Sequence, residues 1–328
     1  MKIGLVLGKF LPLHNGHIEL INFAASKCDE LVVLVCASQK ENISGEVRLN
    51  WIIETFKNNP NIQPKLIEYN ENFLPNTSVS SVEVSKIWSN FLKDILPPIN
   101  IIFTSEKYGE YLAEFMSCEH IAFDIDRSKI PVSATEIRCN PFKNWEYIPD
   151  SVRPYFIKKI CILGTESTGK TTLTQKLAQH FKTEFVPEMA REIIEKTEEC
   201  TLQHLYQIAI LHAETINSKI ESANKLLFID TDVNITRSYS RFLFNEELIV
   251  EDWIEKANHC DLYLFLEKDS PFVQDGTRLD KSDRDLLQQS HLTELKQRNI
   301  KYQLINGGWE EKFSKAVIAV NGFKKNIN

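Results

Sequence analysis

Short apolar runs alternate with helix-length amphipathic segments along the whole chain, and that rhythm sets the expected fold. In the first half, apolar runs at residues 3–7, 31–37 and 99–103, with a weaker one at 121–123, read as strands. Between them, residues 16–26, 46–57, 82–96 and 108–116 carry apolar positions at helical spacing. Strands that stay apolar at successive positions are buried on both faces, which a parallel sheet covered by helices provides. The rhythm pauses over residues 139–157, CNPFKNWEYIPDSVRPYFI, whose prolines and aromatics predict an ordered, packed connection rather than a regular element. It restarts with a strand at 159–163 and a helix at 169–181, followed by strands at 226–230, 262–266 and 302–305. There is no internal repeat. The expectation is an α/β chain of two unlike domains with mainly parallel sheets, residues 1–140 and 158–328, joined by 141–157. A length of 328 residues agrees, at ~150 residues per domain.

Composition narrows the class. The chain is 43% hydrophobic and 25% charged, an ordinary globular mix, so neither half is expected to be disordered. A net charge of −7 argues against a general nucleic-acid binder, which needs a basic face. The seven cysteines form no CxxC pair and read as small core residues in a reducing compartment. No signal peptide opens the chain, and no apolar stretch nears the ~20 residues that span a bilayer. A cytoplasmic protein with no membrane partner is expected. Oligomeric state is left open, a homo-oligomer among the options.

Two strings carry chemistry in the first half. Gly8 to His17 reads GKFLPLHNGH, directly after the first strand and running into a helix. Unpaired N–H groups at a helix start attract phosphate. His14 and His17, three apart, fall on one side of that first turn, and Gly16 would let a nucleotide approach the backbone. The string resembles the signature of nucleotidyltransferases that carry an HxGH motif. The resemblance implies a Rossmann-like domain in which both histidines are catalytic and Gly8, Lys9, Phe10 and Gly16 border the ATP. The second string, Ser133-Ala-Thr135-Glu-Ile-Arg138, is similar to that family's later signature. Its hydroxyls and Arg138 would hold the leaving phosphates, a task suited to the planar guanidinium fork. Such chemistry requires positioning and charge neutralisation, not a catalytic triad.

The second half opens with GTESTGKT, residues Gly164, Thr165, Glu166, Ser167, Thr168, Gly169, Lys170 and Thr171, followed by Thr172. This is a full GxxxxGK[ST] loop between an apolar strand and a helix, the context the motif demands. Its N–H groups would cradle ATP phosphates, Lys170 would reach the β- and γ-phosphates, and Thr171 would ligate Mg²⁺. Asp230 ends an apolar strand, with Asp232 two residues on. If the chain stays extended, both face one side, one towards the metal and one towards the substrate hydroxyl, with Asp230 the better metal partner. The competing expectation is that they cap the next helix. Residues 274–285, QDGTRLDKSDRD, read either as a lid delivering Arg278 to the phosphates or as a solvated charged loop.

The strings GKFLPLHNGH, FTSE, VSATEIR, PFKNWEYIP, VRPYF, GTESTGKT, FIDTD and DGTR occur here in one order. Together they resemble the bifunctional nicotinamide-nucleotide adenylyltransferase/ribosylnicotinamide kinase (NadR-type) family over essentially the whole chain. The resemblance implies that a P-loop kinase domain makes nicotinamide mononucleotide from nicotinamide riboside, and that the first domain adenylylates it to NAD, both with Mg²⁺ and ATP. Within it, Trp88 matches an aromatic position suited to stacking on nicotinamide, although helical spacing alone makes it a core residue. Arg48 either faces nucleotide or is an exposed helix arginine. Glu188 and Arg191 match a string near the riboside, although their spacing alone reads as a helix ion pair. Some members carry a helix-turn-helix domain ahead of the first strand. This chain starts at that strand, so no DNA binding is expected. The rival readings are a nucleotide-binding sensor with weak turnover, or an analogous enzyme pair for another vitamin nucleoside.

Overall fold

The computed structural model describes residues 1–76, 80–194, 200–269 and 281–326, except the side chains of Arg191, Lys281, Ser282 and Asn326. The chain divides into two compact units, Met1–Arg153 and Pro154–Asn328.

In the first unit the elements run β1 (Ile3–Gly8), α1 (Asn15–Ala25), β2 (Glu30–Ser38), α2 (Gly45–Phe56), β3 (Ile62–Tyr69), α3 (Val82–Ile95), β4 (Ile101–Thr104), α4 (Tyr108–Met116), β5 (Glu119–Ala122) and α5 (Ala134–Cys139). The strands form one parallel sheet in the order β3-β2-β1-β4-β5, with Leu5 opposite Val32 and Val6 opposite Phe103. The central strands are apolar because both faces are covered: Leu5, Val6, Leu31 to Val35 and Ile101 to Phe103 are all fully buried. β3 was not legible from the pattern. It is an edge strand of mixed burial and contains Pro64, which an edge tolerates because only one ladder needs its backbone. The proline- and aromatic-rich stretch packs as expected: Phe142, Trp145, Ile148 and Val152 are buried, and Asn15 Nδ2 donates to the Glu146 carbonyl at 3.0 Å.

A short helix α6 (Arg153–Phe156) leads into the second unit. There follow β6 (Lys158–Gly164), α7 (Lys170–Phe181), β7 (Phe185–Val186), α8 (Ala190–Ile193), α9 (Leu202–Ile220), β8 (Leu226–Asp230), α10 (Val233–Phe244), α11 (Asp252–Asn258), β9 (Leu262–Leu266), α12 (Lys281–Gln297), β10 (Gln303–Ile305) and α13 (Trp309–Asn326). All pairings are again parallel, in the order β10-β9-β6-β8-β7. The first strand of each unit lies at the centre of its sheet. The loop after it therefore opens where neighbouring connections diverge to opposite faces, the usual ligand crevice of such sheets. Among the described residues no helix is long and apolar enough to cross a membrane.

Candidate active sites

In the first unit the chain leaves β1 at Gly8 into a loop pinned from below. Arg48 was expected to be exposed or nucleotide-facing, but it is fully buried. It donates to the Lys9 carbonyl at 2.9 Å and the Ser44 carbonyl at 3.2 Å, and pairs with Glu41 at 2.9 Å. Glu41 also takes Lys9 Nζ at 2.9 Å. The salt link compensates burial of the guanidinium, so Arg48 clamps the loop instead of reaching for a ligand. Phe10 is buried at φ 46° with its ring edge-on to His17 at 5.0 Å.

The two histidines start α1 as a reciprocal cap. His14 Nδ1 accepts from Gly16 N at 3.1 Å, and His17 Nδ1 accepts from His14 N at 3.3 Å. Their rings stack at 3.7 Å, so the three-residue spacing does place them on one side. An Nδ1 that accepts a backbone N–H carries no proton, which fixes both neutral rings with the proton on Nε2. Burial, then the charge of Arg127, brings the His14 pKa down to about 4. Burial, then His14 and Arg127, holds His17 well below 6.5. Gly16 has a second reason beyond ligand approach: a Cβ there would meet the His14 ring at 3.0 Å. At Gly8 a Cβ would make only ordinary contact with the Phe10 ring, at 3.5 Å.

The structure brings the two strings together. Arg138 donates through one nitrogen to the Leu11 carbonyl of the first string and through another to Thr135 Oγ1 at 3.1 Å. Ser133 caps α5: its Oγ accepts from Glu136 N at 3.2 Å and donates to the Glu136 carboxylate at 2.7 Å. Trp88 is half-buried in the core of the unit, edge-on to Tyr69 at 5.0 Å, with Nε1 donating to the Pro75 carbonyl at 3.0 Å. Its polar tip is thus engaged by the protein. Arg127, exposed at φ 50°, lies near enough for its charge to lower both histidine pKa values; an isolated arginine in DIDRSK gives no spacing signal.

In the second unit the P-loop joins β6 to α7. Gly164 sits at φ 146°, where a Cβ would meet the Leu266 carbonyl at 2.9 Å, and Gly169 at φ 89°, where it would meet the Trp309 ring at 3.1 Å. Ser167 also takes a left-handed φ of 59°. The Thr165 carbonyl accepts from Thr168 Oγ1 at 2.8 Å and from Lys170 Nζ at 3.1 Å. Thr171 Oγ1, in the first turn of α7, donates to Asp230 Oδ2 at the end of β8 at 2.6 Å. A hydroxyl and a carboxylate side by side are hard oxygen donors of the kind Mg²⁺ takes.

A cavity of about 510 Å³ opens beside this loop, with Lys170, Thr172, Glu188, His212, Asp230 and Tyr239 in its wall. That volume fits a small molecule. Glu166 accepts from Tyr239 OH at 3.1 Å. Asp232 does not join Asp230. Thr231 turns the chain at φ 74°, and Asp232 becomes the N-cap of α10, accepting from Asn234 N at 3.0 Å and Ile235 N at 3.2 Å. The capping expectation holds for this residue, and the extended-chain expectation fails. Burial pushes its carboxyl up to about 6 despite these bonds. Arg278 and the Arg191 side chain lie outside the described residues. His212 and Tyr239 went unread because each sits among apolar residues of an amphipathic helix, where the pattern signals core.

Residues 5–140 match the family model of cytidylyltransferase-like domains, and residues 159–312 that of an AAA domain. The trifunctional NAD biosynthesis/regulator protein NadR of Salmonella typhimurium is 35% identical over 92% of this chain and 78% of its own length. Its Escherichia coli counterpart is 34% identical over the same shares. The nicotinamide-nucleotide adenylyltransferase of Thermococcus kodakarensis is 27% identical over 52% of this chain and 94% of its own. A crystal structure of a NadR protein in complex with NR superposes with a TM-score of 0.78 at 24% identity, covering 98% of this chain and 96% of that one, which shows the shared fold.

Proposed function

The chain belongs to the NadR family, and on that premise we propose that it makes NAD from nicotinamide riboside in two ATP-dependent steps. Residues 158–328 phosphorylate the riboside at its 5′-hydroxyl, and residues 1–140 adenylylate the resulting mononucleotide, with 141–157 joining them. The observation that carries this reading is the presence of two separate phosphate sites: the stacked His14–His17 pair at the end of a loop that Arg138 holds through the Leu11 carbonyl, and the P-loop with its Thr171–Asp230 bond.

In the first step the riboside hydroxyl oxygen bonds to the γ-phosphorus as the bond to ADP breaks. Lys170 and the P-loop N–H groups hold the phosphates and neutralise the charge that develops. Thr171 and Asp230 would hold Mg²⁺, which when bound draws charge from the β- and γ-oxygens. With Asp232 committed to its cap and Asp230 to the metal side, the hydroxyl proton goes to the Glu188 carboxylate of the cavity wall.

In the second step the already ionised phosphate of the mononucleotide attacks the α-phosphorus of ATP, and pyrophosphate leaves. No general base is needed. His14 and His17 each offer an Nε2–H to phosphate oxygens while uncharged, and Arg138, Thr135 and Arg127 hold the leaving group.

Mass spectrometry of products from purified protein, Mg·ATP and nicotinamide riboside tests the reading. Mononucleotide followed by NAD is expected. Mononucleotide without NAD would reduce the first unit to a sensor, and NAD only from added mononucleotide would leave the kinase with another nucleoside.

A further inference from the structure

His212 is anchored through Nδ1. Its Nδ1 lies 3.2 Å from Asn258 Oδ1. The orientation of that amide is settled by its other bonds: Asn258 Nδ2 donates to the Ile254 carbonyl at 2.9 Å, and Oδ1 accepts from Val233 N at 3.1 Å. An oxygen therefore faces Nδ1, and Nδ1 must carry the proton. Burial keeps the ring neutral, lowering its pKa to about 4, although the Asn258 bond, the charge of Glu188 and the Asp230 backbone carbonyl pull the other way.

Nε2 is consequently a bare acceptor. No donor is bonded to it among the described residues, in a side chain only 5% exposed that forms part of the cavity wall. An acceptor so buried is costly unless something donates to it. The groups that face the ring, the Glu188 carboxylate and the Asp230 carbonyl, are acceptors too. This corner of the cavity therefore calls for hydroxyl donors from the ligand. It also adjoins the end of β8, where Asp230 meets Thr171 and phosphoryl transfer is placed, so the ligand part nearest to it is the sugar, not the base.

Resting on the kinase reading above, we propose that His212 Nε2 accepts a hydrogen bond from a secondary ribose hydroxyl of the nucleoside, and so makes the kinase select ribonucleosides over deoxyribonucleosides. His212 is in this sense a substrate-binding residue that sets specificity.

The test compares kcat/KM for nicotinamide riboside with those for its 2′-deoxy and 3′-deoxy analogues, in wild type, His212→Phe and His212→Gln. Wild type is expected to disfavour at least one analogue by ~10²-fold or more, because loss of that hydroxyl leaves the acceptor unpaired. In His212→Phe that ratio should fall to within about threefold of unity, while His212→Gln, which can present an oxygen, keeps part of it. A purely structural role would lower all three substrates together and leave the ratios unchanged, which would overturn the proposal. So would a wild-type enzyme that takes both deoxy analogues as well as the riboside, an outcome that needs no folded variant. A wild type that phosphorylates no ribonucleoside would sink the kinase reading itself.

Discussion

At the scale of single residues, the first unit rests on two imidazoles whose protons are fixed by backbone donors. His17→Ala removes one Nε2–H donor and one side of the cap. NAD formation from mononucleotide should fall by ~10²–10³, while riboside phosphorylation stays within about twofold. Lys170→Ala should do the reverse, read in the same two assays. Because both histidines are neutral well below pH 6.5, the pH profile of NAD formation should show no histidine limb near 6.5 beyond that of the mononucleotide's own phosphate, whose second pKa is about 6. An inflection there that vanished in His17→Ala would contradict the tautomer assignment. Asp232→Ala separates cap from base. A lost cap costs about 1–2 kcal/mol of stability in urea unfolding, with kinase kcat within about tenfold at low temperature. Loss of a general base would cost ~10²–10⁴ in kcat. The motif residues were legible because phosphate chemistry imposes their types and spacing. Arg48, Trp88 and Asp232 were ambiguous because a single side chain's partner depends on residues far along the chain: Lys9 for Arg48, Pro75 for Trp88, and the turn at Thr231 for Asp232.

At the scale of elements, the helix starts after β1 and β6 reach their positions by different means. α1 is capped by a side chain, and α7 by none, its first turn instead preceded by Gly169 at φ 89° against the Trp309 ring. Gly169→Ala must both strain a left-handed backbone and displace an indole. It should lower the stability of the second unit by about 1–3 kcal/mol and weaken ATP binding, as measured by urea unfolding and by nucleotide titration. Buried strands were legible wherever both faces are covered. β3 was not, since an edge strand of mixed burial lacks the continuous apolar run of its neighbours.

At the scale of the whole molecule, acid should unfold the second unit readily. His212 and His291 are buried and have pKa values lowered to about 4 and about 3, so the unfolded chain binds more protons than the native one below pH 6.5. Stability is complete above 6.5 and is lost as the pH falls towards 4, by up to about 3 kcal/mol for each histidine. Asp232, raised to about 6, acts with the opposite sign and loses its contribution as pH rises through that value. Two histidines outweigh one aspartate. Urea unfolding followed by Trp253 and Trp309 fluorescence should therefore give a lower midpoint at pH 5 than at pH 7. Equal midpoints would mean that these rings titrate normally.

The bond from Arg138 to the Leu11 carbonyl spans 127 residues, and β1 needs both β2 and β4 beside it. A ribosome delivers a chain from its N-terminal side, so GKFLPLHNGH emerges before most of its own unit and waits for nearly all of that unit before its last tie is made. The adenylyltransferase loop is thus assembled late although it is encoded ahead of most of its unit, whereas the P-loop closes its Thr171–Asp230 bond over only 59 residues.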